Sequence, residues 1–528
     1  MLRVLISDKL EREGVDILKT EKEIAVDLKP GLPEKELLST IHGYDALIVR
    51  SGTKVTKEVI EAGVKLKVIG RAGVGLDNVD VEAASKQGII VMNTPGGNTI
   101  STAEHTFSML LSLARNIPQA NSLLKQGHWD RNRFVGVELC GKTLGLVGLG
   151  RIGTEVAKRA TAFGMKVIAF DPFLSKEKAS QLGIELVPFE TILERADFIT
   201  FHTPLTKETH YLLNEKTFEK VKKGVRIINC ARGGIVEEKA LAKAIRDGKV
   251  AGAALDVFEE EPPMNGNPLF ALEQVISTPH LGASTEEAQI NVAIEIAKQV
   301  CDALLGRGIL NAVNVPSFSA ELLKEMQPYL ELGEKLGALV AQLVTGHMHQ
   351  VIIRYAGEVT HYELSPITVG VIKGILTSFL QETVNYVNAS LIASERGIKV
   401  IETKSTELKE FANFIGVEIY KDKMKKSVVG TLFTRVDQRI VRVDNFHVDA
   451  VPYGYMLFVA NLDKPGVVGH IGSILGNHEI NIAGMTFGRN QLGGEAVSII
   501  NIDSLVPDSV IEEIKKSENI LAVKLVKL

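Results

Sequence analysis

The stretch that decides the fold is TLGLVGLGRIGTEVAKRATAFGMKVIAFD, residues 143–171 of the 528-residue chain. Residues 144–148 form a short, apolar, branched run, which predicts a buried strand. Apolar residues with helical spacing follow over 154–163, and a second strand is predicted over 166–170. The stretch therefore predicts a strand, a glycine-rich turn, a helix and a second strand in immediate succession.

The turn GLGRIG has the properties of a dinucleotide site. Gly148 allows the tight turn, Gly150 leaves room for a pyrophosphate beside the backbone, and Gly153 lets the helix pack close to the strand. The N-terminus of the helix offers unpaired N–H groups to the phosphates. Asp171, at the end of the second strand, can accept hydrogen bonds from the adenosine ribose and would repel a 2′-phosphate. Since the next two residues carry no cation, the sequence predicts NAD rather than NADP as the cofactor.

The length of the chain predicts three or four domains. It carries 60 basic and 64 acidic residues, a net charge of −4, and 45% hydrophobic residues. Because no basic stripe is present, we expect no nucleic-acid partner. Cys140, Cys230 and Cys301 lie far apart, the N-terminus is not that of a signal peptide, and no apolar run reaches the ~18 residues of a membrane span. These features predict a cytoplasmic protein without disulfides or a membrane contact.

Residues 1–96 alternate strands with helices, which predicts a parallel sheet whose ligands collect at the carboxyl ends of the strands. Two polar clusters fall at such ends. Arg50 and Ser51 follow a strand predicted at 46–49, and the run RAGVG, residues 71–75, follows another. Arg50 is well placed to hold an anion, whereas Ser51 also fits an ordinary turn.

Residues 97–290 predict a second doubly wound unit. Asn98, in the loop before a long helix, fits either a ligand contact or a helix cap, and His105 and Met109 on that helix are predicted to be core or interface residues. Arg131, beside a lone tryptophan, fits a phosphate contact or a solvated surface. Each later strand ends in polar residues on the rim of the glycine turn. This convergence predicts a catalytic site.

The remaining chain completes the predicted domain plan. A helix over 285–305 is expected to cross back to the first unit, so the domains are 1–96 with 291–316, 97–290, 317–452 and 453–528. The third has helices predicted at 320–343 and 368–393 and strands at 427–433 and 439–443. Its histidines, His347, His349 and His361, match no metal template, and we predict no metal. The fourth has the βαββαβ order of a ferredoxin-like module, which indicates regulation or assembly.

Several runs of the chain resemble the D-isomer-specific 2-hydroxyacid dehydrogenases. They are the glycine turn with Asp171, NCARGG at 229–234, LDVFEEEPP at 255–263 and TPHLGAST at 278–285. GRAGVGLDNVD, NTPGGNTISTAEH and the C-terminal tail resemble the long branch of that family. The resemblance implies an α/β fold with two doubly wound parallel-sheet domains, Rossmann-like and flavodoxin-like. An α/β intervening domain and a C-terminal ferredoxin-like ACT domain would follow them.

The resemblance implies that Arg232, Glu261 and His280 are catalytic. Oxidising a secondary alcohol needs a base for the hydroxyl proton while a hydride leaves the carbon, and His280 can be that base near neutral pH. Glu261 can orient the imidazole and raise the pKa of His280. Arg232 can hold the carboxylate or carbonyl oxygen of the substrate in a planar, charge-assisted grip.

The resemblance also implies a set of ligand contacts. Asp256 is expected near the nicotinamide carboxamide. The residues expected to contact NAD are Gly148, Gly150, Arg151, Ile152, Gly153, Asp171, Thr203, Cys230, Ala231, Arg232, Asp256, His280, Leu281, Gly282 and Ala283. Those expected to hold the phosphate and carboxylate of the substrate are Arg50, Ser51, Asn98 and Arg131.

The function that the resemblance implies is oxidation of D-3-phosphoglycerate to 3-phosphohydroxypyruvate, the first step of L-serine biosynthesis. In that branch serine binds between two ACT modules, and Asn461, Asp463 and Asn481 fall on effector positions. These residues also fit plain turns in a dimerising module. Exposed sheet edges that pair across a two-fold axis predict a homo-oligomer, either a dimer or a tetramer.

Two other functions fit the same residues. One is a related dehydrogenase acting on glycerate, hydroxypyruvate, formate or 2-hydroxyglutarate, although Arg50 and Arg131 argue against an acid with a small uncharged tail. The other is an NAD-sensing transcriptional co-regulator, which this dehydrogenase fold can also serve. The complete arginine–glutamate–histidine set, together with an amino-acid-sensing module, argues against the co-regulator.

Overall fold

The computed structural model describes residues 1–264, 266–316, 319–344, 348–380, 384–405, 413–421 and 424–528. His347, one of the histidines considered above for a metal site, lies outside these ranges. Among the helices within them, none combines the length and apolar character that a bilayer crossing requires.

The first unit is a five-stranded parallel sheet in the order β2-β1-β3-β4-β5. Its elements are β1 (Leu2–Ile6), α1 (Arg12–Thr20), β2 (Ile24–Leu28), α2 (Glu34–Thr40), β3 (Ala46–Val49), α3 (Lys57–Ala62), β4 (Val68–Arg71), α4 (Val81–Lys86) and β5 (Ile90–Met92). Apolar cores cover both faces of the sheet, as parallel strands require. The strand order reverses between β1 and β3, so a crevice opens above Asp8 and Arg50.

The second unit is a seven-stranded parallel sheet in the order β12-β11-β10-β9-β6-β7-β8. Its elements are α5 (Thr99–Arg115), α6 (Ile117–Lys125), β6 (Thr143–Val147), α7 (Arg151–Ala162), β7 (Lys166–Phe170), α8 (Lys176–Gln181), β8 (Glu185–Leu186), α9 (Phe189–Arg195), β9 (Phe198–Phe201), α10 (Glu215–Lys220), β10 (Val225–Asn229), α11 (Glu238–Arg246), β11 (Val250–Leu255), β12 (Val275–Ser277) and α12 (Glu286–Leu304). Its order reverses between β6 and β9, so the glycine turn lies at the switch point.

Helix α12 packs against the first sheet, as predicted. Its Val292, Ala293 and Ile296 share one buried cluster with Val4 and Ile48. The helix thereby ties the two parallel-sheet units together. We keep the four predicted domain ranges as a proposal, since the contacts of α12 support the return of the chain to the first unit.

The third unit is a six-stranded sheet in the order β14-β13-β15-β16-β17-β18. Its elements are α13 (Ala320–Leu343), β13 (Gln350–Gly357), α14 (Ser365–Thr377), α15 (Ala389–Glu395), β14 (Lys399–Ser405), β15 (Asn413–Lys421), β16 (Met424–Leu432), β17 (Gln438–Val443) and β18 (Phe446–Ala450). Helices α13 and α14 cover one face of the sheet with a continuous apolar core.

The prediction of one helix over 368–393 was wrong, because the chain forms two helices there. Helix α14 ends at Thr377, and α15 begins only at Ala389. Before α15, the Asn385 side chain accepts hydrogen bonds from the N–H groups of Val387 and Asn388 at 2.9 and 3.2 Å. Such local side-chain bonds compete with helix formation, and the apolar periodicity does not reveal them. The sequence analysis also missed β2, β8, β13, β14, β15 and β18.

The fourth unit is an antiparallel sheet in the order β20-β21-β19-β22 with two helices on one face. Its elements are β19 (Tyr455–Leu462), α16 (Val467–Asn477), β20 (Ile482–Arg489), β21 (Glu495–Ile502), α17 (Asp508–Lys515) and β22 (Ile520–Lys527). The predicted βαββαβ order is confirmed.

Candidate active site

The glycine turn has the shape that its sequence predicts. Gly148 has φ +95°, and a Cβ there would lie 2.6 Å from the carbonyl oxygen of His202. A Cβ on Gly153 would lie 2.2 Å from the carbonyl oxygen of Gly148, whereas one on Gly150 would meet no atom within 4 Å. Gly150 therefore faces open space directly before the N-terminus of α7. This turn fits a pyrophosphate group.

A cavity of about 580 Å³ extends from this turn to the end of β7, and Gly150, Arg151 and Asp171 line it. The Asp171 carboxylate accepts hydrogen bonds from the N–H groups of Leu149 and Phe173 at 2.8 and 2.9 Å. These bonds hold the side chain in place, and each oxygen keeps a lone pair for a further donor. The cavity fits an adenosine with its ribose hydroxyls on Asp171.

The predicted pair of His280 and Glu261 is formed. His280 Nδ1 lies 2.7 Å from Glu261 Oε2, and the N–H of Phe258 donates to the other glutamate oxygen at 3.1 Å. The hydrogen bond to Glu261 raises the pKa of His280, although burial opposes it. Burial alone would raise the pKa of Glu261, but the bond and charge of His280 lower it overall. The pair therefore favours an imidazolium beside a carboxylate.

Asp256 is fully buried at the end of β11. Its Oδ1 accepts from the Thr278 hydroxyl at 2.5 Å and the N–H of Leu281 at 2.7 Å, while Oδ2 accepts from the N–H of Gly282 at 2.8 Å. The expected contact with the carboxamide stays a prediction. In this structure Asp256 fixes the loop that carries His280.

Three arginines converge on the crevice between the two parallel sheets. Arg232 Nε lies 3.3 Å from Asp77 Oδ2 of the first unit. The pKa of Arg71 is lowered to about 10, chiefly by burial and in part by the positive charges of Arg232 and Arg50. Like charges this close repel one another, so the crevice is electrostatically suited to an anion.

Several buried polar atoms near this crevice have no hydrogen-bond partner in the described part of the chain. They include Asn98 Oδ1, Thr203 Oγ1 and Arg71 Nε. Buried polar groups are nearly always paired, so these atoms indicate a ligand that supplies the partners. Asn98 and Thr203 were predicted as ligand contacts. Arg71 was not, although it follows a buried strand in the same way as Arg50.

The predicted cofactor residues all follow the carboxyl ends of β6, β7, β9, β10 and β11 or the end of β12, and they lie along one rim of the sheet. The predicted substrate residues are less uniform. The N–H of Arg50 donates to Asp8 Oδ2 at 2.6 Å, and Ser51 is exposed beside it. Arg131 is exposed on a different loop, where the nearby Arg133 forms a two-pronged pair with Glu273 at 2.7 and 2.8 Å. Within the described ranges, no contact brings Arg131 to Arg50.

The predicted effector residues do not meet within one chain. Asn461 Oδ1 accepts from the Ser498 hydroxyl at 3.1 Å, near the start of β21. Asp463 accepts from Arg489 Nη1 at 3.0 Å at the same end of the sheet. Asn481 donates to Asp503 at 2.6 Å, beyond the opposite end of β21. The strand β21 therefore separates Asn481 from the other two residues.

Family models match three parts of the chain. Residues 107–282 match "D-isomer specific 2-hydroxyacid dehydrogenase, NAD binding domain", residues 325–444 match "D-3-phosphoglycerate dehydrogenase intervening domain", and residues 455–519 match "ACT domain". The predicted NAD cofactor, intervening domain and ACT domain are thereby confirmed.

Two solved structures resemble about three-fifths of the chain. The TT0316 protein of Thermus thermophilus is 38% identical, with a TM-score of 0.55, and the match covers 59% of this chain and 100% of that one. The D-lactate dehydrogenase of Aquifex aeolicus, complexed with NAD and lactic acid, is 30% identical, with a TM-score of 0.52, over 60% of this chain and 100% of that one.

Full-length relatives are named D-3-phosphoglycerate dehydrogenase. Those of Bacillus subtilis and Methanocaldococcus jannaschii are each 46% identical, with 100% of both chains covered. That of Synechocystis sp. is 46% identical over 100% of this chain and 95% of its own length. The chain is an NAD-dependent oxidoreductase that belongs to the D-3-phosphoglycerate dehydrogenase family.

Proposed function

We propose that the protein oxidises D-3-phosphoglycerate to 3-phosphohydroxypyruvate with NAD, the first step of L-serine biosynthesis. The observation that carries this substrate is the convergence of Arg50, Arg71 and Arg232 on one crevice. Arg71 lies against Gly73, and Arg232 lies against Gly75. Arg50 directly follows Val49, which pairs with Arg71 across the neighbouring strands β3 and β4. Asp77 compensates Arg232 in part, and the Asp8 carboxylate is occupied by backbone N–H groups. A substrate that brings both a phosphate and a carboxylate would neutralise this cluster.

His280, Glu261 and Arg232 each have a separate role in the proposed reaction. Because His280 Nδ1 shares its bond with Glu261, Nε2 is left to accept the proton of the substrate hydroxyl. Glu261 then stabilises the imidazolium that forms. Arg232 would hold the substrate carboxylate and so keep the hydroxyl-bearing carbon beside His280. When bound beside the glycine turn and Asp171, NAD would supply the acceptor for the hydride that leaves this carbon.

The test is NADH formation by the pure protein, with the keto product trapped. We expect kcat/KM for D-3-phosphoglycerate to exceed that for D-glycerate and D-2-hydroxyglutarate, since only the first offers a phosphate to the arginines. Absence of turnover with all three acids would remove the proposal. A preference for 2-hydroxyglutarate would replace the substrate and keep the reaction.

The role of Arg131 is tested by the same comparison. In the Arg131→Ala variant, a lower kcat/KM for the phosphorylated acid, with that for glycerate unchanged, supports a phosphate contact. An equal ratio of the two values in variant and parent would remove Arg131 from the substrate site.

We also propose that L-serine binds between the ACT modules of two copies in a homo-oligomer. The support is geometric, because Asn481 lies at the opposite end of β21 from Asn461 and Asp463. One site containing all three therefore needs a second module. Sedimentation would give the oligomeric state, and initial rates with and without serine would show regulation. A monomer, or a dehydrogenase with no serine binding, would contradict this part.

The compartment we propose is the cytoplasm. The cysteines Cys140, Cys230 and Cys301 are all free thiols, and the last two are buried. Unpaired thiols are typical of a reducing compartment. Localisation of a tagged chain by microscopy or fractionation would test this.

A further inference from the structure

Helix α5 contacts the catalytic loop from behind. His105 Nε2 lies 3.1 Å from Thr278 Oγ1 and 3.2 Å from Asp256 Oδ1. One turn earlier on the same helix, the Ser101 hydroxyl donates to the carbonyl oxygen of Gly282 at 2.6 Å. These contacts attach the helix to both ends of the loop 278–282. The middle residue of this loop is His280.

Asp256 is the junction between the helix and the loop. Its carboxylate is fully buried and accepts from Thr278, Leu281 and Gly282, and His105 Nε2 lies 3.2 Å from its Oδ1. Burial acts to raise the pKa of Asp256, but the hydrogen bond from His105, followed by those from Thr278 and Leu281, lowers it overall. A buried carboxylate stays ionised only when such donors surround it. His105 is the ring donor of this set.

We propose that His105 is a positioning residue for the dehydrogenation: it donates Nε2–H to the buried Asp256 carboxylate, and Asp256 holds the loop that presents His280. The inference rests on the proposed function, because it takes His280 as the proton acceptor. Thr278 completes the contact, since His105 lies within hydrogen-bond distance of its hydroxyl as well.

A metal ion is the alternative explanation for this cluster. His105, Cys230 and Asp256 place possible ligand atoms within 4.8 Å of one another. Both oxygens of Asp256 already accept N–H and O–H groups. Hydrogen bonds to the Asp256 carboxylate therefore account for this cluster without a metal ion.

The charges around His280 allow the role of His105 to be tested through the pH dependence of the reaction. Glu261 and Asp256 face His280 as carboxylates and raise its pKa, and Arg232 faces it as a cation and lowers it. The titratable groups facing His105 are Asp256 and Cys230. Loss of the His105 donor favours protonation of the buried Asp256, because His105 is one of the groups that lower its pKa. A neutral Asp256 no longer contributes the negative charge that raises the pKa of His280. The pKa of His280 then falls, and the loop that carries it loosens.

The test uses variants of the full-length enzyme. In His105→Leu we expect kcat to fall roughly 10- to 100-fold, as for a misplaced catalytic group, and the acid limb of the kcat/KM profile to move to lower pH. His105→Asn, whose amide is too short to reach Asp256, is expected to behave in the same way. His105→Gln keeps a donor of suitable length and is expected to restore most of kcat. Ser108→Ala, an exposed change on the same helix, is the control and is expected to stay within about twofold of the parent.

A second readout does not depend on turnover. We expect the amide hydrogens of Leu281 and Gly282 to exchange faster in His105→Leu and His105→Asn than in the parent, because Asp256 accepts from both. Unchanged exchange together with an unchanged acid limb in either variant would overturn the inference while the proposed function stands. If the parent oxidises no hydroxyacid, the proposed function fails, and faster exchange in the variants would still support the role of His105 in holding the loop.

Discussion

The crevice between the parallel sheets and the C-terminal ACT module differ in how far their polar side chains are hydrogen-bonded within the chain. In the crevice, Asn98, Thr203 and Arg71 keep buried polar atoms without a protein partner within the described residues. In the ACT module, the predicted effector residues Asn461 and Asp463 are paired with groups of the same module. A buried unpaired polar group costs about 1–3 kcal/mol. The crevice carries this cost, and a ligand would relieve it.

The crevice therefore has polar groups available for a ligand within one chain, whereas the effector residues of the ACT module do not. Ligand binding in the crevice would give partners to buried atoms that have none among the described residues. An effector at the ACT module must displace an existing bond, such as that between Asp463 and Arg489, or use a surface that a second copy completes. Substitutions in the crevice should therefore alter catalysis strongly, and those in the ACT module should leave basal turnover intact.

The largest effect is expected for His280→Gln. The variant loses the proton acceptor, so we expect kcat to fall about 10²- to 10⁴-fold with little change in thermal stability, since half of the side chain is exposed. Steady-state kinetics and calorimetry measure both quantities, with the exposed His42→Gln as a control. A kcat within tenfold of the parent would mean that another group accepts the proton.

A smaller effect is expected for Arg71→Leu. Losing a charge-assisted hydrogen bond costs about 1.5–3 kcal/mol, so kcat/KM for D-3-phosphoglycerate should fall roughly 10- to 150-fold. The loss should be smaller for an unphosphorylated acid. Arg71→Lys should recover part of the lost kcat/KM. The surface variant Arg12→Leu is the control, and its kcat/KM should equal that of the parent. Equal losses for both acids would indicate that Arg71 supports the fold rather than the phosphate.

The third expected effect is a shift in pH dependence for Glu261→Gln. The bond to Glu261 raises the pKa of His280, and only the neutral imidazole can accept a proton. In the parent, NADH formation should therefore decline as the pH falls through this raised pKa. The variant lacks the carboxylate, so its decline should begin at a lower pH. A profile of log kcat/KM against pH shows the shift, and an unmoved acid limb would argue that a different group titrates.

The smallest effect on turnover is expected for Asn461→Ala. The variant leaves the buried Ser498 hydroxyl without its acceptor, which costs about 1–3 kcal/mol of stability. Thermal unfolding should shift downward, while basal kcat and KM remain those of the parent. Ser504→Ala, an exposed change in the same module, is the control. A clear loss of basal activity in Asn461→Ala would break the contrast between the two regions.

Local patterns explain why the parallel-sheet units and the ACT module were predicted well. The strand and helix around Gly148 to Gly153 follow from apolar periodicity and turn chemistry that act over a few residues. The third unit was predicted less well. Its β13 and β15 became recognisable as strands only through their pairing, Val351 with Ile419 and Ile353 with Val417, and the turn at Asn385 depends on side-chain bonds that periodicity does not report.

Short runs of the sequence by themselves determine the glycine turn, the acidic residue after the second strand and the polar ends of the strands. They do so because backbone sterics and burial act locally. The contact of Arg232 with Asp77, which joins the two sheets, was needed to bring Arg232 to the crevice of Arg50 and Arg71. Among the described residues, no contact joins Arg131 to Arg50. The same folding places His105 behind the loop of His280 and puts Asn481 beyond the far end of β21. These distances join residues far apart in the chain, and packing between whole sheets and helices determines them.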